Sequence, residues 1–321
     1  MTTLLMLPPQ TATTRAWAAR VAAALPGLSV VVAEDEAHAA RAIPDAEAAF
    51  GTISSALLRR AGRLRWLQAP QAAPPAGFYF PELIAHAAVV TNFREIYNDH
   101  IGAHIMAFVL AFARGLHHYI PRQLRREWKP LPLDTGVVHL PEATALIVGV
   151  GGIGSEAARL AEAFGMRVIG VDARRRDAPP GVSKLDGPDA LDSLLPEADF
   201  VILTVPHTPD TEGFMHRARF QRMKRSAFFI NIGRGMTTRL DDLVAALRAG
   251  EIAGAALDVF EQEPLPADHP LWTAPNALIT PHTAGFGPYL DDRRCEILLE
   301  NCRHFLAGQP LRNVVDKSSW F

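Results

Sequence analysis

Four apolar runs in the second half of the chain end in polar residues that have chemistry to offer. "LTVPHTPDTEGF" carries His207 just beyond Pro206, "INIGRG" carries Arg234, "ALDVFEQEPLP" carries Asp258 and Glu263, and "LITPHTAG" carries His282. An imidazole exchanges protons near neutral pH. A guanidinium can grip a carboxylate through two parallel hydrogen bonds, and a carboxylate beside an imidazole stabilises its protonated form. In an open α/β sheet, the carboxyl ends of strands define the ligand crevice. These residues together could hold a small acid and move a proton to or from it.

Further upstream, "ALIVGVGGIGSEAARLAEAFG" sets Gly149, Gly151 and Gly154 in a GxGxxG spacing between an apolar run and a helical pattern. In that setting the first glycine permits a tight turn and the second lets backbone approach a pyrophosphate. The third allows helix and strand to pack closely, and the helix-start amides face the anion. Gly152 and Ile153 lie inside the same turn, so all five residues are candidates for a dinucleotide site. Asp172 ends the next apolar run, where its carboxylate could accept hydrogen bonds from an adenosine ribose. Arg174, Arg175 and Arg176 follow it. Guanidinium groups favour a 2′-phosphate that Asp172 would repel, and a solvated basic turn explains them equally well. The expected cofactor is NAD, with NADP possible. Val205, Pro206 and Ile232 are expected to line the cofactor cleft, although core packing would explain their types too.

These residues need two α/β sheets behind them. From Ala16 to about Val90, helical patterns such as "RAWAARVAAAL" alternate with "LSVVVA", "LRWLQ" and "AAVVTN". A long helical pattern from Asp99 to His117 could carry the chain to a second domain. The stretch Tyr119 to Glu142 is rich in proline and charge and reads as an arm. From Ala143 on, six strand-like runs alternate with helices and fit one doubly wound parallel sheet. The helical "DDRRCEILLENCRHFLAG" then leads to a tail that could return to the first domain.

These segments resemble the D-isomer-specific 2-hydroxyacid dehydrogenase family over nearly the whole chain, most specifically from Ala143 to Gly285. The resemblance implies that the arginine of "NxxRG", the glutamate of "DVFxxEP" and the histidine of "PHxxG" form the active site, here Arg234, Glu263 and His282. Arg234 would clamp the substrate carboxylate, His282 would be the acid or base, and Glu263 would support the imidazole. Asp258 matches a position that contacts the nicotinamide amide. The implied architecture is α/β. A flavodoxin-like substrate domain spans 1–98 and is completed by 287–321; a Rossmann dinucleotide domain spans 99–286. A homodimer through the dinucleotide domains and the 119–142 arm is implied as well.

One loop departs from the family pattern. After "LRWLQ", relatives present a glycine-bearing loop whose amides contact the substrate carboxylate, whereas this chain reads "APQAAPPAG". Pro70, Pro74 and Pro75 have no amide hydrogen to give. Ala69, Gln71 and Ala72 are the nearest matches as substrate contacts. Ala103 stands where relatives often carry an acid near the helix start. The expected partner is a small 2-oxoacid or 2-hydroxyacid. The rival readings are an NAD(H)-sensing binding protein of corepressor type and an enzyme for another carboxylate, such as formate.

Composition narrows the field further. With 321 residues and 49% hydrophobic content there is material for two cores, and a net charge of −2 gives no field to gather nucleic acid or an anionic membrane. The longest apolar run, Ile105 to Ala113, is far shorter than the roughly 20 residues a membrane span needs. Cys295 and Cys302 lack a CxxC spacing, and His100 and His104, though four apart, have no evident third ligand, so no metal is expected. A cytoplasmic enzyme is the expectation.

Overall fold

The computed structural model describes residues 1–72, 77–132 and 137–318. The chain divides into two compact units, Met1–Ile96 with Pro288–Phe321, and Tyr97–Gly287.

The first unit holds five parallel strands, β1 (Thr2–Met6), β2 (Leu28–Val32), β3 (Ala48–Phe50), β4 (Trp66–Gln68) and β5 (Val89–Thr91), in the order β2-β1-β3-β4-β5. This is the flavodoxin-like order. β1 and β3 are invisible as strands to the sequence patterns, because "TTLLM" sits at the start without a preceding helix and "AAF" is only three residues long. A buried polar network ties the C-terminal segment to this sheet. Trp66 Nε1 donates to Thr91 Oγ1 at 2.8 Å, Thr91 Oγ1 donates to Gln68 Oε1 at 2.7 Å, and Asn301 Nδ2 donates to the same oxygen at 3.1 Å. Asn301 lies on the helix Leu290–Ala307, and the chain beyond it returns as Val315 N donates to Val90 O. Each buried polar atom here has a partner, which the low dielectric demands.

The second unit is built on seven parallel strands, β6 (Thr144–Val148), β7 (Arg167–Val171), β8 (Lys184–Asp186), β9 (Phe200–Leu203), β10 (Phe228–Asn231), β11 (Gly254–Leu257) and β12 (Ala277–Ile279). Their order is β12-β11-β10-β9-β6-β7-β8, one strand more than the six expected. The extra strand, β8, is a short polar edge element, "KLD", and it carries no apolar run to signal it. Both faces of the sheet are covered. Leu146, Val148, Val201 and Leu203 belong to the core on one face, while Ala145, Ile147, Phe200 and Ile202 belong to the core on the other. Burial on both sides is why these strands read as unbroken apolar runs. Strand order reverses between β6 and β9, the switch point where such sheets bind ligands.

The long helix ends sooner than the pattern suggested. It spans Asn98–Ala113, Gly115 takes φ +68°, and a second helix runs Leu116–Leu124 into the segment read as an arm. Left-handed backbone at that glycine breaks the helical path at little steric cost. Residues 133–136 of the arm lie outside the described residues. No helix among the described residues is long and apolar enough to cross a membrane.

Candidate active site

The glycine turn after β6 is shaped by contacts that exclude side chains. Gly149 has φ +94°, and a Cβ on Gly154 would lie 2.1 Å from the Gly149 carbonyl oxygen. At that position the helix Gly152–Ala163 therefore packs directly on the turn. Gly151 is the residue before the helix; a Cβ there would meet nothing within 4 Å, and no side chain caps the helix start. A Cβ on Gly152, by contrast, would meet the Asn98 side-chain amide nitrogen at 2.6 Å. Helix-start amides without a side-chain cap suit a pyrophosphate. Ile153 packs partly buried against the core.

Asp172 follows β7 and faces this turn. Its Oδ2 accepts the Val150 amide at 2.7 Å, and its Oδ1 accepts the amides of Arg174 and Arg175, each at 2.8 Å. Burial pushes the carboxyl up, but these three amides and the Arg175 guanidinium outweigh it and hold its pKa below the ordinary value. Arg175 in turn donates from Nη1 to Val150 O and to Ser155 Oγ, each at 3.0 Å. Asp172 thus serves the turn itself, a task its spacing alone did not reveal.

Val205 is half-buried after β9, Pro206 is exposed, and Ile232 is nearly fully buried. Ile232 belongs to the core, so packing accounts for its type. His207 Nε2 lies 3.4 Å from Glu212 in an exposed pair.

Arg234 sits in a tight turn after β10. The buried Asn231 amide spans that turn, donating to Arg234 O at 3.2 Å and to Thr238 Oγ1 at 3.0 Å, while its Oδ1 accepts the Gly233 amide at 3.0 Å. A Cβ on Gly235 would fall 1.8 Å from Phe260 O. Only glycine allows this turn to seat on the segment after β11, and that segment carries Glu263. The Arg234 side chain reaches solvent; the protein around it pushes its pKa down, and the Glu263 charge opposes the shift. A guanidinium remains charged at any physiological pH.

Glu263 divides its two oxygens. Oε1 accepts the Phe260 amide at 2.9 Å, and Oε2 lies 2.6 Å from His282 Nδ1. With Nδ1 turned to the carboxylate, Nε2 is the nitrogen free for proton exchange. His282 itself has φ +55°, a left-handed conformation uncommon outside glycine. The backbone around it is anchored by Asp258, which is 1% exposed. Asp258 Oδ1 accepts the Thr280 hydroxyl at 2.5 Å and the Thr283 amide at 2.9 Å, and Oδ2 accepts the Ala284 amide at 2.9 Å. Thr280 also meets His104 Nε2 at 3.0 Å. Burial pushes His104 below the ordinary imidazole value, against the pull of Asp258.

Glu263 and His282 are therefore in contact in the second unit, and the turn that bears Arg234 seats on the segment that carries Glu263. Asp258 anchors the loop that bears His282. Asn231 and Thr280 went unread as site residues because short polar side chains at strand ends carry no periodic signal, and His104, on the helix Asn98–Ala113, was weighed only as half of a metal pair. In the first unit, the expectation for Ala69 as a substrate-contacting amide needs correction. Its N–H donates to Thr91 O at 2.8 Å and the residue is fully buried. Gln71 is exposed, and Ala72 O accepts from the buried Asn92 Nδ2 at 3.0 Å. Pro74 and Pro75 lie outside the described residues. No group of three or more His, Cys, Asp or Glu side chains suited to a metal occurs among the described residues.

Comparison with known proteins shows the family to which the chain is similar. Residues 106–284 match the family model described as D-isomer specific 2-hydroxyacid dehydrogenase, NAD binding domain. The chain is 36% identical over 286 residues to glyoxylate/hydroxypyruvate reductase B of Citrobacter koseri, covering 88% of this chain and 87% of that protein. Among solved structures, a D-isomer specific 2-hydroxyacid dehydrogenase from Xanthobacter autotrophicus, in complex with NADPH and MES, superposes with a TM-score of 0.82 at 28% identity. It covers 100% of this chain and 99% of the other. An NADPH-dependent glyoxylate/hydroxypyruvate reductase from Sinorhizobium meliloti, in complex with NADP and sulfate, gives a TM-score of 0.80 at 27% identity over the full length of both chains.

Proposed function

We propose, because the chain belongs to the D-isomer specific 2-hydroxyacid dehydrogenase family and is an NAD(P)-dependent enzyme of it, that it reduces small 2-oxoacids such as glyoxylate or hydroxypyruvate. The observation that carries this reading is the 2.6 Å contact of Glu263 with His282, alongside the turn bearing Arg234, which seats through Gly235 on Phe260 of the same segment.

The uncapped helix start at Gly151 and Gly152, the open space at Gly151 and the Asp172 carboxylate suit the pyrophosphate and ribose of a dinucleotide. When bound, the reduced dinucleotide supplies the hydride for the carbonyl carbon. Arg234 holds the substrate carboxylate with its planar fork and so fixes the adjacent carbonyl. His282 delivers a proton from Nε2 to the carbonyl oxygen as negative charge develops there. Glu263 keeps Nδ1 occupied and the ring in place throughout. Neutral His282 accepts the hydroxyl proton in the opposite direction. Asp258, expected at the nicotinamide amide, also secures the His282 loop. Asp172 favours NAD over NADP, while the Arg175 guanidinium, a group type that favours a 2′-phosphate, is held on Val150 O and Ser155 Oγ.

A homodimer fits one exposed face of the second unit. Leu116, Ile120 and Leu124 repeat every four residues on one helix, are 43%, 53% and 81% exposed, and are followed by the fully exposed Trp128. A second copy covering that stripe would remove it from water. Cys295 and Cys302 are buried free thiols, which suits the reducing cytoplasm.

The deciding experiment is a turnover screen of 2-oxoacids of graded size with NADH and NADPH in parallel. Steady consumption with glyoxylate or hydroxypyruvate is expected. Dinucleotide binding without turnover on any 2-oxoacid would favour the corepressor-type sensor and reject the reductase.

A further inference from the structure

We propose that His104, from the helix Asn98–Ala113, is a positioning residue for His282 and acts through the Thr280 hydroxyl and the Asp258 carboxylate. The inference rests on His282 being the proton donor and adds a residue remote in sequence to that site.

The hydrogen-bond directions follow from counting protons. Asp258 accepts two backbone amides, from Thr283 and Ala284, so its oxygens face donors. The single Thr280 hydroxyl proton goes to Asp258 Oδ1 at 2.5 Å. That leaves a lone pair of Thr280 Oγ1 toward His104 Nε2 at 3.0 Å, and the ring nitrogen must carry the hydrogen. His104 is held in turn against Phe108, with ring centroids 4.7 Å apart and planes at 89°. Its side chain is only 21% exposed. Burial lowers its pKa, which suits a neutral ring with the hydrogen on Nε2.

The consequence falls on His282. Its φ of +55° is a conformation that a side-chain-bearing residue holds only when its surroundings over-determine it. One carboxylate grips Thr280 before it and Thr283 and Ala284 after it, so the loop is pinned on both sides. His104 fixes the rotamer of the Thr280 hydroxyl, which is the upstream pin. Without that bond the hydroxyl can turn away from Asp258, the left-handed residue can relax, and the imidazole loses its register with Glu263. Misplacement of a reacting group by about 1 Å costs on the order of a hundredfold in rate, and a partial loosening costs less.

The test compares His104→Leu, His104→Gln, Thr280→Val and Thr280→Ser in the full-length enzyme, with wild type and His282→Ala alongside. It measures kcat and KM for glyoxylate, the NADH dissociation constant and the melting temperature. His104→Leu and Thr280→Val are expected to lower kcat about tenfold with KM, NADH affinity and melting temperature little changed. His104→Gln, which retains a donor near Nε2, and Thr280→Ser should stay within about twofold of wild type. Unchanged kcat in Thr280→Val overturns the relay even if His104→Leu fails to fold. Equal losses in His104→Gln and His104→Leu also overturn it, since packing then accounts for the residue. Full turnover in His282→Ala rejects the parent reading instead, and the positioning role falls with it.

Discussion

His282 Nδ1 lies 2.6 Å from one carboxylate oxygen of Glu263, whose other oxygen accepts the Phe260 amide. The carboxylate is thus held by backbone before it holds the imidazole. This fixes which ring nitrogen faces the acid and turns the other away from it. Replacing His282 by alanine should lower kcat by about 10²–10⁴-fold while leaving NADH affinity near wild type. Steady-state kinetics with fluorescence titration of NADH will show it; unaltered turnover removes His282 from the chemistry.

Arg234→Lys keeps the charge but not the two-pronged grip. The expected loss is about 10- to 100-fold in kcat/KM for the 2-oxoacid, carried mostly by KM. An efficiency equal to wild type would contradict the clamp.

Gly235→Ala would place a methyl group 1.8 Å from Phe260 O, so the turn bearing Arg234 must move off the segment bearing Glu263. Overpacking of this kind costs about 2 kcal/mol, a fall of roughly 4–8 °C in melting temperature for the second unit. Activity should fall with it. A variant that melts with the wild type would mean that the two segments yield easily.

Asp172→Ser removes a carboxylate held ionised by three amides while Arg175 stays beside it. The ratio of kcat/KM for NADPH to that for NADH should rise roughly tenfold. The ratio is the readout because Asp172 also holds the glycine turn, and both absolute values will drop. No change in the ratio would take Asp172 out of cofactor choice.

The second unit should lose stability in acid through His117. It lies among Phe112, His118 and Phe228, and burial, aided by the His118 charge, pushes its pKa down to about 4. The unfolded chain binds this proton with an ordinary value near 6.5, so between the two values it is the unfolded state that holds more protons. The stabilisation is complete above about pH 6.5 and is lost as pH falls toward 4, on the order of 2 kcal/mol after allowance for partial exposure. Urea denaturation of His117→Leu across pH 4–8 should show a flatter acid limb than wild type. Parallel curves would exclude His117 as a cause.

The sequence was most legible where one physical demand dominates a segment. Strands buried on both faces must be apolar, so β6, β9 and β10 announce themselves, and a backbone that must approach a pyrophosphate leaves the trace Gly149, Gly151, Gly154. β1, β3 and β8 were missed because short or polar strands acquire their identity from neighbours in the sheet. The break at Gly115 was missed because a glycine inside a helical pattern does not say whether it will turn left-handed.

By itself, then, the chain's order of residues determined the α/β class, the glycine turn and the types of side chain available for acid, base and carboxylate chemistry. These follow from local demands on backbone and charge. Only the tertiary structure decided which oxygen of Glu263 faces His282, that Asp172 and Asp258 brace loops, that the Ala69 amide is spent on Thr91, and that His104 reaches Thr280 across 176 positions. Such assignments depend on hydrogen bonds between loops, strand ends and a helix that only the folded chain brings together, and no local pattern encodes where a polar side chain will find its partner.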